Sequence, residues 1–120
     1  IMASELRVNT LKDASGNNSV GMSYVFNTNK AWCRFNGTGT PAYHDSFNLG
    51  SITDNGTGNF NFAITSAMLN DDYAKVDGGG HYDEQSSGDT TSSVQMRTYS
   101  SSVALADYDN VTFVVVGDLA

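Results

Sequence analysis

The side chains most capable of chemistry lie in an acidic stretch beyond the middle of the chain. A histidine and five carboxylates follow one another there: Asp71, Asp72, Asp77, His81, Asp83 and Glu84. Carboxylate oxygens are the ligands that calcium prefers, and zinc sites combine histidine with cysteine or carboxylates. The spacing does not match an EF-hand loop, and one histidine beside one carboxylate is far short of a zinc signature. We therefore interpret the stretch as a solvated acidic loop and predict no metal site.

Other residue types associated with catalysis do not form a catalytic pattern. His44 and Asp45 are adjacent, but neighbours on a strand point to opposite faces, so they are not expected to act as an acid–base pair. Gly78-Gly79-Gly80 is not followed by Lys-Ser/Thr, as a phosphate loop would be. Cys33 has no histidine motif beside it and is predicted to be a small buried residue in a strand. We predict a protein that is not an enzyme, with no catalytic residues and no cofactor.

Aromatic side chains are the remaining candidates for binding. Tyrosine and tryptophan combine an apolar body with a polar tip, which suits sugars and interfaces. We expect most of these residues to be core or half-buried strand positions: Trp32, Tyr43, Tyr73, Tyr82, Tyr99 and Tyr108. Tyr82 lies next to the glycine-rich loop. If the chain contacts a glycan, we expect Tyr82, His81 and Asp83 to form the contact.

Composition bounds the class of protein. A chain of 120 residues and 12.8 kDa suits one hydrophobic core. The net charge is −7, and the six Lys and Arg residues are scattered, so we expect neither nucleic acid nor an anionic membrane as a partner. The single cysteine excludes an internal disulfide. Neither a signal peptide nor a long apolar segment is visible, which favours a soluble protein made in the cytoplasm.

Two identical turns indicate the fold. Asn36-Gly37-Thr38-Gly39 and Asn55-Gly56-Thr57-Gly58 each follow a run of alternating apolar residues, and Asn-Gly tolerates the positive φ of tight hairpin turns. Residues 66–76 are predicted to be a loop that leads into a strand. The last strand is nearly all apolar, so we expect it at the centre of a sheet with both faces covered. The predicted strands are 31–35, 43–52, 59–65, 73–77, 93–99, 102–106 and 111–117, which together indicate an antiparallel β-sandwich.

The first 27 residues differ from the rest. Leu6, Val8 and Thr10 alternate with polar residues, and a second alternation runs from Val20 to Phe26 after a turn-rich segment. This pattern predicts a hairpin or extended arm. It has too few apolar residues for a core of its own, so it must pack on the rest of the chain or on a partner. We divide the chain into an attachment arm, 1–27, and a sandwich domain, 28–120.

Several segments resemble tail-fibre and other small virion proteins of bacteriophages, especially marine and cyanobacterial ones. The segment Ser4 to Asn18 resembles their opening, and Ala31 to Thr40 is similar to their Ala-Trp-x-x-Phe-Asn-Gly-x-Gly segment. The similarity continues through 45–49, 52–58, 62–73 and 108–117, so it covers almost the whole chain. This chain departs from the family's pattern at Cys33, where an aliphatic residue is usual, and at Leu69, where proline is common.

The resemblance implies a virion structural protein. More specifically, it implies a tail-fibre or tail-associated component that forms a homotrimer and contacts the host surface. It implies an N-terminal arm for attachment to other virion proteins and an exposed β-sandwich, and it brings no catalytic residues. A three-fold assembly would bury Leu6, Val8 and Leu11, which we predict as assembly contacts. Two alternatives stay open. One is a capsid decoration protein, and the other is a lectin-like module that binds a glycan.

Overall fold

The computed structural model describes residues 4–26, 28–78 and 88–120. No helix in these ranges is long and apolar enough to cross a membrane. The elements in chain order are β1 (Thr10–Lys12), β2 (Ser19–Gly21), α1 (Met22–Phe26), β3 (Asn29–Asn36), β4 (Ala42–Phe47), β5 (Leu49–Asp54), β6 (Asn59–Ile64), β7 (Ala74–Gly78), β8 (Ser93–Arg97) and β9 (Val111–Val116).

Seven of these strands form the predicted antiparallel β-sandwich. One sheet has the order β4-β3-β9-β7 and the other has the order β5-β6-β8, and every pairing is antiparallel. The two sheets bury alternate residues of their strands between them, as a half-buried strand requires. The buried apolar set is Ala31, Cys33, Phe35, Phe60, Phe62, Ile64, Met68, Tyr73, Val94, Met96, Val111, Phe113 and Val115.

Four phenylalanines form the centre of this core. The Phe35 ring meets the Phe62 ring edge to face at a centroid distance of 4.8 Å, and it meets the rings of Phe60 and Phe113 at 5.4 and 6.3 Å. Phe62 and Phe113 are 4.9 Å apart. Edge-to-face pairs at such distances stabilise a core beyond the area they bury. The core therefore joins both sheets through one aromatic cluster.

Strand β9 lies at the centre of its sheet, between β3 and β7, as predicted. The expectation that both of its faces are covered is wrong. Val111, Phe113 and Val115 are buried, whereas Thr112, Val114 and Val116 are only half-buried. The reason is that the three-stranded sheet covers one face of β9, and no described element forms a third layer over the other.

The predicted strand 43–52 is two strands in different sheets. The chain leaves β4 and enters β5 at Asn48, whose φ is +58°, a left-handed conformation in which asparagine is enriched among non-glycine residues. The Asn48 side chain donates to the carbonyls of Lys30 and Ser66, and its Oδ1 accepts from the Ser66 N–H at 2.7 Å. One polar side chain thus fixes the crossing between the two sheets.

Both Asn-Gly-Thr-Gly turns close hairpins, β3–β4 and β5–β6, as predicted. Positive φ is found at Gly39, Gly56 and Gly58 rather than at the asparagines. In the first turn the Asn36 side chain accepts from the Thr38 N–H. In the second turn the Asp54 carboxylate accepts from the Gly56 N–H. Side-chain capping of the turn therefore accompanies the glycine conformations.

The prediction of a strand at 102–106 is wrong. Strand β8 ends at Arg97, and the chain turns at 100–103, where the Val103 N–H donates to the Ser100 carbonyl at 2.9 Å. Only a single bridge, between Tyr99 and Leu105, resembles strand pairing there. Val103 has a φ of +61°, which is uncommon for a β-branched residue. The loop predicted at 66–76 is found, and it leads into β7 at Ala74.

The N-terminal segment contains the β1–β2 hairpin, which forms its own two-stranded sheet. Two details differ from the alternation pattern, because residues 4–8 form no strand and residues 22–26 form the short helix α1. The radius of gyration is 17.1 Å, against about 14 Å for a compact chain of this length. The chain is therefore elongated. The division at residue 27 stays a prediction.

Candidate assembly surface

One row of apolar side chains crosses the outer face of the four-stranded sheet. Trp32 pairs with Phe47 on one side and with Val114 on the other, and Val114 pairs in turn with Val76. The row therefore runs through all four strands in the order Phe47, Trp32, Val114, Val76. Phe47 and Val76 are 55% and 58% exposed, Trp32 is 38% exposed, and Val114 is half-buried. We call these four residues the apolar row.

The alternation of β3 and β9 explains why the row faces outward. The inward positions of β3 are Ala31, Cys33 and Phe35, so Trp32 must point away from the core. Soluble antiparallel sheets usually present polar residues on their open face. With about 150–250 Å² per aromatic side chain, Trp32 and Phe47 together leave roughly 200 Å² exposed, and the two valines bring the row to about 300 Å². This is the size at which exposed patches are often functional.

Polar residues flank the row on one side. Arg34 pairs with Asp45 on β4 and with Thr112 on β9, and its Nε donates to the Asn110 side chain. The Asp45 carboxylate accepts from the Ser46 N–H at 2.8 Å. An apolar centre with a polar rim is the arrangement found in protein–protein interfaces.

The N-terminal segment adds a second exposed apolar surface. Leu11 and Val20 face each other across the β1–β2 hairpin and are 42% and 37% exposed, and Leu6 is 81% exposed. Val8 is half-buried. Of the three predicted assembly contacts, Leu6 and Leu11 are therefore accessible and Val8 is partly covered. No partner chain is present, so their role stays a prediction.

The hairpin turn itself is held by Asp13. Its carboxylate accepts from the Asn18 amide at 2.7 Å, from the Ser15 hydroxyl at 2.9 Å and from the Asn17 N–H at 3.0 Å. These donors, the Asn18 side chain first, lower the pKa of Asp13 below its usual value. A charged carboxylate thus orders the turn although residues 13–18 are all exposed.

The residues considered above for glycan contact, metal binding or catalysis either take part in structural contacts or lie outside the described residues. His81, Tyr82 and Asp83, the predicted glycan contacts, are outside them. Within the described ranges, no three His, Cys, Asp or Glu side chains converge as a metal site would require. Cys33 is buried, as predicted, and burial raises the pKa of its thiol. His44 Nε2 lies 3.0 Å from the Asp109 carbonyl.

Two tyrosines donate hydrogen bonds to backbone carbonyls around the core. The Tyr73 hydroxyl donates to the carbonyls of Thr90 and Ser93, each at 3.0 Å, and the Tyr43 hydroxyl donates to the Gly50 carbonyl at 2.7 Å. Burial raises the pKa of both phenols, and the carboxylates of Asp89 and Asp71 add to the shift at Tyr73. These bonds make both side chains structural.

A buried ion pair was not anticipated from the sequence. Lys75 pairs with Val115 in the register of β7 and β9, so it lies on the core side of the sheet. Its Nζ lies 3.0 Å from Asp89 Oδ2 and donates to the Gln95 carbonyl at 2.7 Å. The two charged side chains are only 2% and 10% exposed. The pair joins the edge strand β7 to the segment that enters β8.

Both glycine-rich turns contact the segment that connects β8 to β9. The Gly37 N–H donates to the Tyr108 carbonyl at 2.8 Å, and the Gly58 N–H donates to the Asp107 carboxylate at 2.7 Å. Gly58 is also against the backbone of Thr98 and Ala106. The repeated turns therefore lie at one end of the sandwich and hold the same connection.

Comparison with known proteins gives no relative from which a function could be transferred. No family model, no curated protein and no solved structure matches this chain. Among the described residues, the apolar row is the candidate for a functional surface that the geometry supports best. Sequence reasoning missed it, although the opposite parity of Trp32 and Phe35 on β3 is a signal that could have identified its centre.

Proposed function

We propose that this chain is a structural protein of a bacteriophage virion, and specifically a tail-fibre or tail-associated component. In this proposal the protein assembles with copies of itself and has no catalytic role. The observation that carries the self-assembly part is the apolar row on the open face of the sheet. The virion part is supported by the sequence resemblance alone, which extends over almost the whole chain.

The free energy of burial and the usual interface area both favour an interface larger than the apolar row. Burial of about 300 Å² of apolar surface contributes about 7 kcal/mol at ~25 cal/mol per Å². Association costs about 4–15 kcal/mol in lost freedom and ordering. A stable interface also buries about 800 Å² on each partner. The row therefore suits the centre of an interface, and a second surface must contribute. The exposed Leu6 and Leu11 provide one, so we propose that the arm of one copy completes the interface.

A closed ring of three copies is the proposed assembly. Homo-oligomers usually close by symmetry, and a heterologous contact between a sheet face and an arm forms a ring when the rotation closes. This arrangement would bury the predicted contacts Leu6, Val8 and Leu11 and would leave the rest of the sandwich exposed. Other virion proteins are the proposed further partners, and the virion is the proposed location.

Light scattering coupled to size exclusion tests the self-assembly. We expect a trimer at micromolar concentration and expect the double variant Trp32→Thr, Phe47→Thr to be monomeric, because threonine keeps the strand propensity while removing both aromatic members of the apolar row. Thr53→Lys, on the exposed side of β5, is the matched control and should remain trimeric. A monomeric wild-type chain would refute the assembly proposal.

The virion assignment needs a separate experiment. Electron microscopy of purified phage particles with antibody against this chain should show label at the tail. Label over the head would instead favour a decoration protein. No label on particles, combined with binding of the soluble chain to host glycans, would favour the lectin-like module.

A further inference from the structure

We propose that Asn55 is a site of spontaneous deamidation and isomerisation in the folded protein, and that Asn36 is protected from the same reaction. Both asparagines stand at the first position of an identical Asn-Gly-Thr-Gly sequence. The local sequence therefore gives them similar intrinsic reactivity. The surroundings of the two turns differ in every feature that the reaction requires.

The reaction needs a nucleophilic backbone nitrogen, room for a five-membered ring and a group that takes up a proton. At Asn55 the nucleophile is the Gly56 nitrogen, whose N–H donates to Asp54 Oδ1 at 2.9 Å. A carboxylate is a far better proton acceptor than a peptide carbonyl, so Asp54 can act as the base. Gly56 is exposed, and a side-chain carbon built on it meets nothing within 4 Å. The attacking nitrogen therefore belongs to a residue in open space.

The equivalent atoms at Asn36 are enclosed. The Gly37 N–H donates to the Tyr108 backbone carbonyl at 2.8 Å, and Gly37 is buried. A side-chain carbon built on Gly37 would lie 2.9 Å from the Phe60 ring. Asn36 Oδ1 accepts from both the N–H and the hydroxyl of Thr38. These contacts leave neither room nor a base for attack by the Gly37 nitrogen.

The side-chain amide of Asn55 donates to Asn61 Oδ1 at 2.6 Å. That bond must break before the side-chain carbon can approach the Gly56 nitrogen. Asn55, Gly56 and Thr57 are all exposed, so breaking this bond exposes little additional surface. The Asn36 side chain, by contrast, is half-buried.

The chemistry balances with water as the only co-reactant. The Gly56 nitrogen attacks the side-chain carbonyl carbon of Asn55 and forms a new C–N bond, while Asp54 accepts the proton from that nitrogen. The bond to the side-chain amide nitrogen breaks, and ammonia leaves with the proton that Asp54 returns. Water then opens the succinimide at either carbonyl. The products are aspartate or isoaspartate at this position.

The modification would change the turn between β5 and β6. A new carboxylate would stand beside Asp54, and isoaspartate would insert a methylene carbon into the backbone. The turn holds Gly58, whose N–H donates to Asp107. A modified chain should therefore have a weakened connection at this end of the sandwich.

Incubation of the native protein at mildly alkaline pH, followed by peptide mapping and isoaspartate quantification, tests the proposal. We expect conversion at Asn55 and none at Asn36 at the same time points. The same incubation in urea is the internal control, and it should convert both asparagines at similar rates because the fold no longer distinguishes them. Native conversion of Asn36 as fast as Asn55, or native resistance of both sites, would overturn the proposal.

The variant Asp54→Asn tests the base. Its amide oxygen can still accept the Gly56 hydrogen bond, but it is a poor proton acceptor. We expect several-fold slower conversion of Asn55 in the folded variant and an unchanged rate at Asn36. An unchanged rate at Asn55 would refute the role of Asp54.

Discussion

Substitution of Gly58 by alanine should be among the most damaging single changes in this protein, although it adds only one methyl group. Gly58 has a φ of +64°. A Cβ on it would lie 2.6 Å from the Thr98 carbonyl oxygen, 2.7 Å from the Ala106 nitrogen and 2.9 Å from the Ala106 carbonyl oxygen. All three are backbone atoms, so no flexible side chain can move aside. They also belong to the connection that both glycine-rich turns hold.

The expected loss has two parts. A left-handed conformation costs an alanine about 1–2 kcal/mol. Overpacking against a rigid neighbour typically costs about 1–3 kcal/mol more. Gly58→Ala should therefore lower the free energy of unfolding by about 2–5 kcal/mol, because both terms apply at this position. A loss of about 3 kcal/mol corresponds to a drop in Tm of roughly 10 °C for a domain of this size.

The first turn supplies the matched control. Gly39 occupies the same place in the repeated sequence and has the same φ of +64°, but a Cβ on it meets nothing within 4 Å. Gly39→Ala should therefore lose only the conformational part, about 1–2 kcal/mol. Urea unfolding followed by tryptophan fluorescence measures both variants. Equal losses in the two variants would show that the close approach at Gly58 contributes nothing, and would refute the reasoning.

Four further changes test the core and its polar supports. Phe35→Ala should cost about 3–5 kcal/mol in urea unfolding, because it opens a cavity among four packed rings. Asp89→Ala should cost about 3–5 kcal/mol by removing the carboxylate opposite the buried Lys75 ammonium, and adding Lys75→Met should recover part of that loss. Val103→Gly should raise Tm, because it relieves a φ of +61° at a β-branched residue; no rise would contradict the strain. Burial raises the pKa of Cys33 in the folded chain. Just above the usual thiol pKa of about 8.5, Cys33 therefore ionises in the unfolded chain and stays protonated in the folded chain. The free energy of unfolding should fall above that pH, and less steeply in Cys33→Ala.

The architecture could be predicted where one local pattern decided it. Alternation of apolar residues located β3 and β6, and the two Asn-Gly-Thr-Gly sequences located the hairpins between β3 and β4 and between β5 and β6. These predictions succeeded because period-two alternation and turn chemistry both act over a few residues. The central place of β9 followed from its nearly continuous apolar sequence.

Predictions failed where a distant contact decided the local conformation. The alternation through 43–52 continues across Asn48, but that side chain binds carbonyls 18 residues away on each side, at Lys30 and Ser66, and turns the chain between sheets. The segment 102–106 pairs with the residues after β8 through one bridge only, between Tyr99 and Leu105, and the Thr98 hydroxyl donates to the Ala106 carbonyl beside it. The chain therefore turns back without forming a strand. Neither partner can be identified from the residues beside it in sequence.

The same limit applies to the candidate surface. Each member of the apolar row is ordinary in its own strand, because a single exposed aromatic or valine needs no explanation. The row exists only because the registers of β4, β3, β9 and β7 align Phe47, Trp32, Val114 and Val76. A shift of one residue in any pairing would send its member to the core face. Register, fixed by the buried face of the sheet, therefore determines which side chains the outer face presents. We expect substitutions in the core to disturb the proposed assembly without touching that surface.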